Sequence, residues 1–287
     1  MKLDQIQKIA VVGAGTMGQG IAQVSAMAGY QVLLYDIKPE MLDKAKAQIT
    51  KQLDKGIERG KVTEALKAET LDRIAYSTDF DDLKAEVVIE AILERLDIKR
   101  DLFQKLEKLN GPDAILASNT SSIPITRIAA ALDHPERFVG MHFFNPAHIM
   151  KLVEVISGAA TSTAVAQTIF ELAQKLGKKP VMANDAPGFI VNRVARHFYV
   201  EGLKVLEEGV ADVAGIDRLV ESSGFRMGPF RLMDLIGVDT NFSVTTSMFE
   251  AFHQDAKFRP SRIQQQKVDA GHHGRKSGRG FYDYRQD

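Results

Sequence analysis

The sequence predicts an α/β protein, a Rossmann-type, mostly parallel sheet domain followed by an all-helical C-terminal domain. Three observations predict it. Up to about residue 183, short apolar runs alternate with amphipathic helical stretches, the pattern of a parallel sheet covered by helices on both faces. A glycine-rich turn, Gly13-Ala14-Gly15-Thr16-Met17-Gly18, joins the first apolar run to the first helical stretch. Beyond Asp185-Ala186-Pro187-Gly188, strand-like runs give way to helical periodicity. The chain has 287 residues, which at roughly 150 residues per domain fits about two domains. The boundary is placed near 185, giving residues 1–185 to the sheet domain and 186–287 to the helical one.

Each element follows from local pattern. Residues 9–12, 31–36, 87–92, 114–118, 138–144 and 152–157 read as strands. Helical stretches at 17–28, 39–59, 98–109 and 163–176 lie between most of them. The stretch 39–72 is longer than an ordinary crossover and reads as a helical pair, with Gly60 near the bend. In the second part, Pro187 is expected in the first turn of a helix, where its missing N–H costs little. Val191, Val194, Phe198, Gly202 and Val205 then fall on one face at helical spacing. Further helices are expected around 211–222, 239–252 and 261–270.

Composition narrows the function classes. Lys and Arg total 37, as do Asp and Glu. This zero balance gives no global reason to expect a nucleic-acid partner. Without Cys, disulfides, thiolate metal sites and a Cys nucleophile are excluded, and no metal site is expected. No apolar run approaches the roughly 18 residues that span a bilayer. The start of the chain lacks a signal peptide's apolar core. The expectation is a cytoplasmic protein with no membrane partner.

The glycine turn fits G-x-G-x-x-G, a spacing that 22 glycines could produce by chance. Its context is what carries weight: it follows a strand, opens a helix, and Asp36 closes the next strand. Gly13 permits the tight turn, Gly15 lets backbone approach a pyrophosphate, and Gly18 allows close helix–strand packing. Thr16 and Met17 open the helix whose N-terminus attracts phosphate. Asp36 is expected to accept hydrogen bonds from the adenosine ribose. A 2′-phosphate there would place like charges together at about 4 kcal/mol per pair, before screening, so NAD is favoured over NADP. The alternative is a glycine turn beside a solvent-facing Asp.

Three further segments are poor packing material. Ser118-Asn119-Thr120-Ser121-Ser122 follows a strand, at the end where open α/β sheets bind ligands. The ordinary reading is a turn or helix cap before Pro124, and Ser122 is assigned to it. His142 sits inside an apolar strand that ends in Asn145-Pro146. A lone His there is often just a satisfied core residue. In a dinucleotide-binding chain it can instead take a hydroxyl proton as hydride leaves. Glu154, within Leu152-Val153-Glu154-Val155-Ile156, is the carboxylate expected to orient it. Asn192, near the domain junction, is either an ordinary helix-surface amide or one that reaches an interdomain cleft.

Together these segments resemble the L-3-hydroxyacyl-CoA dehydrogenase family, close to bacterial 3-hydroxybutyryl-CoA dehydrogenases. The resemblance runs from Gly13 to Gly280-Phe281-Tyr282-Asp283-Tyr284. Its most specific parts are His142-Phe-Phe-Asn-Pro146 with Met150-Lys-Leu-Val-Glu154-Val155, residues 185–193, and Met227-Gly-Pro-Phe230. The resemblance implies that His142 is the general base toward a 3-hydroxyl and that Glu154 pairs with it. It further implies that Ser121 and Asn192 hydrogen-bond substrate oxygens. Glu94, Lys99, Asn145 and Lys276 match positions near the NAD cofactor; for Glu94 and Lys99 the alternative is an ordinary helix-surface pair. It also implies an acyl-CoA substrate and a homodimer built through the helical domain.

The acyl-CoA expectation has support in the residues. Between 44 and 61 lie Lys44, Lys46, Lys51, Lys55, Arg59 and Lys61 against Asp54 and Glu58, a net of +4 (6 − 2). Lys51, Lys55 and Arg59 recur every four residues and form a face suited to phosphates, or simply a solvated one. Two positions depart from the family pattern: His148 stands where Pro is usual, and Arg231 where Glu is usual. His142 is preferred over His148 as the base because its spacing to Ser121 and Glu154 matches. Two other functions remain open: a dehydrogenase of a free hydroxy or sugar acid, and a catalytically idle NAD-binding protein.

Overall fold

A computed structural model describes residues 1–285; Gln286 and Asp287, within the expected second domain 186–287, lie outside the described residues. The chain divides into two compact units, the first Met1–Phe189 and the second from Ile190 onward.

The first unit is built on a sheet of eight strands among the described residues. They are β1 Lys8–Val12, β2 Gln31–Tyr35, β3 Ile74–Ser77, β4 Val87–Glu90, β5 Ile115–Ser118, β6 Phe138–Phe143, β7 Leu152–Ser157 and β8 Lys179–Asn184. Their order is β3-β2-β1-β4-β5-β6-β7-β8. All neighbours pair in parallel except β6 and β7, which are antiparallel. The order reverses between β1 and β4, which places a crevice beyond their carboxyl ends.

Alternation along β1 shows how the sheet is covered. Ile9 and Val11 enter one apolar cluster, while Ala10 and Val12 enter another on the opposite face. The first cluster takes residues from helices α1 Thr16–Met27, α2 Pro39–Glu58 and, past α3 Glu64–Asp72, from α6 Thr163–Lys175. The second takes residues from α4 Leu96–Asn110 and α5 Ile125–Ala129. Helix α2 buries Leu42, Ala45, Ile49 and Leu53, a spacing of three and four that leaves its lysines on other faces.

The helical pair expected at 39–72 is present as α2 and α3, with Gly60 at φ +64 between them. Two strands were not expected. β3 is a four-residue edge strand of mixed burial. β8 is the opposite edge, with Lys179, Val181 and Met182 exposed; Pro180 is tolerated there because an edge strand need not donate every N–H.

The second unit contains α7 Val191–Glu207, α8 Val213–Ser222, α9 Pro229–Ile236, α10 Val238–Ala251 and α11 Arg262–Asp269. One expectation about its start is corrected. Pro187 is not in the first turn of a helix, because α7 begins at Val191. Gly188 and Phe189 have positive φ, 72 and 48, which is incompatible with helix and makes 187–190 a turn. On the stripe Val191, Val194, Phe198, Gly202 and Val205, Gly202 is buried and Val194 is 68% exposed. The buried face of α7 runs through Arg196, Tyr199, Val200, Gly202 and Leu203, because Gly202 lets Pro229 of α9 approach.

Candidate active site

The glycine turn lies at the carboxyl end of β1, where the sheet order reverses. Gly13 has φ +102, and a Cβ there would meet the Ala91 carbonyl oxygen at 2.6 Å. A Cβ on Gly18 would collide with the Gly13 carbonyl. At Gly15 a Cβ would meet nothing within 4 Å, so this N-cap of α1 opens on free space. Gly15 makes no side-chain cap, and the first-turn amides, including those of Thr16 and Met17, have no partner within the helix. Asp36 follows β2, and its carboxylate accepts from Ala14 N at 2.8 Å and Lys38 N at 3.0 Å. These residues fit a dinucleotide: an open cradle of amides for the pyrophosphate, and a carboxylate beside it for the ribose.

His142 and Glu154 are directly opposite in the antiparallel β6–β7 pair. His142 Nδ1 lies 2.8 Å from Glu154 Oε2, and both residues are buried. The rings of Phe144 and Phe189 lie 4.5 and 5.9 Å from the imidazole. A carboxylate on Nδ1 fixes the tautomer that leaves Nε2 as the acceptor.

The Ser121 segment is held by a carboxylate. Glu94 Oε1 accepts from Thr120 Oγ1 at 2.5 Å, from Ser121 N and Ser122 N at 3.1 Å, and from Ser122 Oγ at 2.9 Å. Ser122 lies in the turn before Pro124, one of the two places expected for it; it caps no helix, its hydroxyl donates to Glu94, and α5 starts after Pro124. Burial alone would raise the Glu94 carboxyl, but Lys99 and the Thr120 and Ser122 hydroxyls outweigh it and lower it. Glu94 and Lys99 are not a helix-surface pair: Lys99 is fully buried and bridges Glu90 at 2.5 Å and Glu94 at 3.2 Å.

Residues with no assigned role complete this end of the sheet. Asn119 Oδ1 accepts from Phe143 N at 2.8 Å, tying the end of β5 to the end of the His142 strand. Asp185 accepts from Ile125 N at 3.0 Å and Thr126 N at 2.8 Å, closing the far side of the loop. Their types gave a hint, since Asn and Asp satisfy exposed backbone N–H groups at turns.

A cleft of about 1190 Å³ runs from Gly15 and Thr16 past Asn145 and His148 to Lys44, Lys51, Lys55, Arg59 and Lys61. Lys46 points elsewhere, over the Tyr76 ring. The side-chain carbonyls of Gln23 and Gln52, both lining the cleft, have no hydrogen-bond partner. Burial lowers the His148 pKa, as does nearby Lys178.

In the second unit, Asn192 lies in the first turn of α7. Lys276 is ion-paired with Asp239 at 2.7 Å. Arg231 pairs with Glu221 at 2.9 Å and lies 5.2 Å from the Tyr282 ring, so its charge is satisfied within the unit. Among the described residues no group of three or more His, Asp or Glu is placed to hold a metal ion, and no helix is long and apolar enough to cross a membrane.

A doubly wound dinucleotide-binding sheet with a buried His–Glu pair at its carboxyl edge defines a dehydrogenase-class protein. The 3-hydroxyacyl-CoA dehydrogenase NAD binding domain matches residues 8–186, and the C-terminal domain of the same family matches 188–284. The chain belongs to the 3-hydroxyacyl-CoA dehydrogenase family. It is 50% identical over 98% of its length to a 3-hydroxyadipyl-CoA dehydrogenase of Escherichia coli, and spans 60% of that longer relative. A probable 3-hydroxybutyryl-CoA dehydrogenase of Bacillus subtilis is 44% identical, with 98% of this chain and 99% of that one covered. The crystal structure of an (S)-3-hydroxybutyryl-CoA dehydrogenase from Ralstonia eutropha superposes with a TM-score of 0.94 at 42% identity, covering 98% and 99% of the two chains.

Proposed function

We propose that this protein is an NAD-dependent oxidoreductase interconverting (S)-3-hydroxyacyl-CoA and 3-oxoacyl-CoA, with 3-hydroxybutyryl-CoA and acetoacetyl-CoA as its substrate pair. The observation that carries the reading is the buried His142–Glu154 pair, 2.8 Å apart, on the sheet edge that also bears the glycine turn. NAD, when bound, supplies the hydride acceptor. In the oxidising direction, His142 Nε2 takes the proton of the 3-hydroxyl, and Glu154 stabilises the resulting imidazolium. In the reducing direction, protonated His142 returns it. Ser121, and Asn192 of the second unit, are the hydrogen-bonding residues toward substrate oxygens. The cofactor residues are Gly13, Gly15, Thr16, Met17, Gly18, Asp36, Glu94, Lys99, Asn145 and Lys276.

The CoA nucleotide is assigned to the basic cleft, with Lys51, Lys55 and Arg59 meeting its phosphates. The cleft also favours a thioester over a free hydroxy acid, which has no use for such a surface. The working form is proposed to be a cytoplasmic homodimer. Its support is the exposed apolar set Val194, Leu219, Phe225, Leu235 and Ile236 on α7–α9 and the short segment between α8 and α9. Light scattering should give twice the chain mass; a monomer at every concentration overturns the dimer. NADH oxidation with acetoacetyl-CoA tests the activity: turnover is expected with the thioester and not with acetoacetate. The opposite preference would establish the free-acid reading.

A further inference from the structure

The most heavily buried charge in the first unit lies beneath the Ser121 loop. Glu90, at the carboxyl end of β4, and Lys99, on α4, are 0% and 1% exposed. Glu90 Oε1 accepts from Lys99 Nζ at 2.5 Å and from Ile92 N at 2.7 Å. Glu90 Oε2 accepts from Ser118 Oγ at 2.6 Å. Ser118 Oγ in turn accepts from Thr120 N at 3.2 Å.

Two chains of contact therefore lead from Glu90 to the same loop. One passes through Ser118 to Thr120. The other passes through Lys99 to Glu94, whose Oε1 holds Thr120, Ser121 and Ser122. Stability does not explain this arrangement well. A buried ion pair costs its desolvation, and well-packed apolar residues often do as well or better. Phe103, Phe138 and Leu116 already fill the same face of the sheet, and an apolar pair would extend that core. What apolar residues cannot do is fix the place of an anion that must accept several loop donors at once.

We propose that Glu90 is a positioning residue for the reaction: from beneath, it fixes Lys99 and Ser118, and through them the loop that presents Ser121. Glu90 does not touch substrate. It keeps the Lys99 ammonium in place, Lys99 keeps Glu94 anionic and in place, and Glu94 holds the Ser121 and Ser122 amides. This role rests on the dehydrogenase activity proposed above.

Glu90→Gln removes the charge and preserves the shape. Ser118→Ala removes one hydroxyl, is less demanding on folding, and cuts the chain of contact through Ser118 alone. The measurements are kcat and KM for acetoacetyl-CoA, NADH affinity by fluorescence titration, and hydrogen exchange of the 118–123 segment. Glu90→Gln is expected to lower kcat at least tenfold, to weaken NADH binding several-fold because Lys99 and Glu94 are also cofactor residues, and to speed exchange in 118–123 with the 9–18 segment unchanged. Ser118→Ala is expected to follow in the same direction, several-fold. Should Glu90→Gln not fold, the Ser118→Ala result decides. Native kcat in the variants, or a fall in kcat with exchange in 118–123 unchanged, overturns the role while leaving the proposed function intact. A native chain without turnover overturns the proposed function and this role with it.

Discussion

Glu154 and His142 face one another across the β6–β7 pair, with the carboxylate oxygen 2.8 Å from Nδ1. Register makes this contact: in an antiparallel pair, directly opposite residues point to the same side of the sheet. Glu154→Gln keeps the shape but accepts or donates without charge, so the imidazolium that forms during reaction loses its counter-ion. The expected result is a fall in kcat of at least about 100-fold, or about 2.7 kcal/mol. NADH affinity, measured by fluorescence, should hold within threefold.

Asp36 sets the dinucleotide preference through charge. Its carboxylate lies beside the glycine turn, anchored on Ala14 N and Lys38 N. Asp36→Ser removes the repulsion of a 2′-phosphate. The ratio of kcat/KM for NADPH to that for NADH should rise at least tenfold. An unchanged ratio would place the ribose elsewhere.

The basic cleft predicts a salt-sensitive KM. Lys51→Ala and Arg59→Ala should raise the KM for acetoacetyl-CoA several-fold and flatten its rise with ionic strength. A short thioester mimic without the nucleotide should show neither effect. Equal effects on both substrates would dissociate these residues from the phosphates.

Lys178 gives a pH signature in stability. Its Nζ donates to Ala147 O at 2.5 Å and Met150 O at 3.0 Å, latching the segment that carries His148. Burial, then nearby Lys151, lower its pKa to about 8 from 10.5. Between those values the unfolded chain holds a proton that the folded chain has released, so stability rises with pH across that window. Lys178→Met lacks this contribution. Chemical denaturation at pH 7.5 and pH 10 should show the native chain gaining stability relative to the variant; a constant difference would contradict it.

What the sequence revealed, and what it hid, has a physical pattern. The glycine fingerprint was legible because its requirements are local: a positive φ at Gly13, a close approach at Gly18 and an open face at Gly15. The His142–Glu154 pair was legible because a polar residue in an apolar strand needs a partner, and the next strand offered one. Glu90 was passed over because a carboxylate at the end of Val-Val-Ile reads as a strand terminus. Its partners, Ser118 and Lys99, are brought to it by sheet order and helix packing. Helix α7 shows a related limit of periodicity. Its apolar stripe includes Val194, which is exposed, while Arg196 is buried, donating to Asn241 O and Thr245 Oγ1. Periodicity locates a face; it does not say which neighbour covers it.

The central claim is that His142 moves the proton, and His142→Gln tests it most directly. Acetoacetyl-CoA reduction and NADH binding are measured on the same preparation. The account predicts at least about a 1000-fold loss of turnover with NADH affinity within threefold of native, and turnover near native in His148→Gln. Turnover within tenfold of native in His142→Gln, or its loss in His148→Gln, would contradict the assignment.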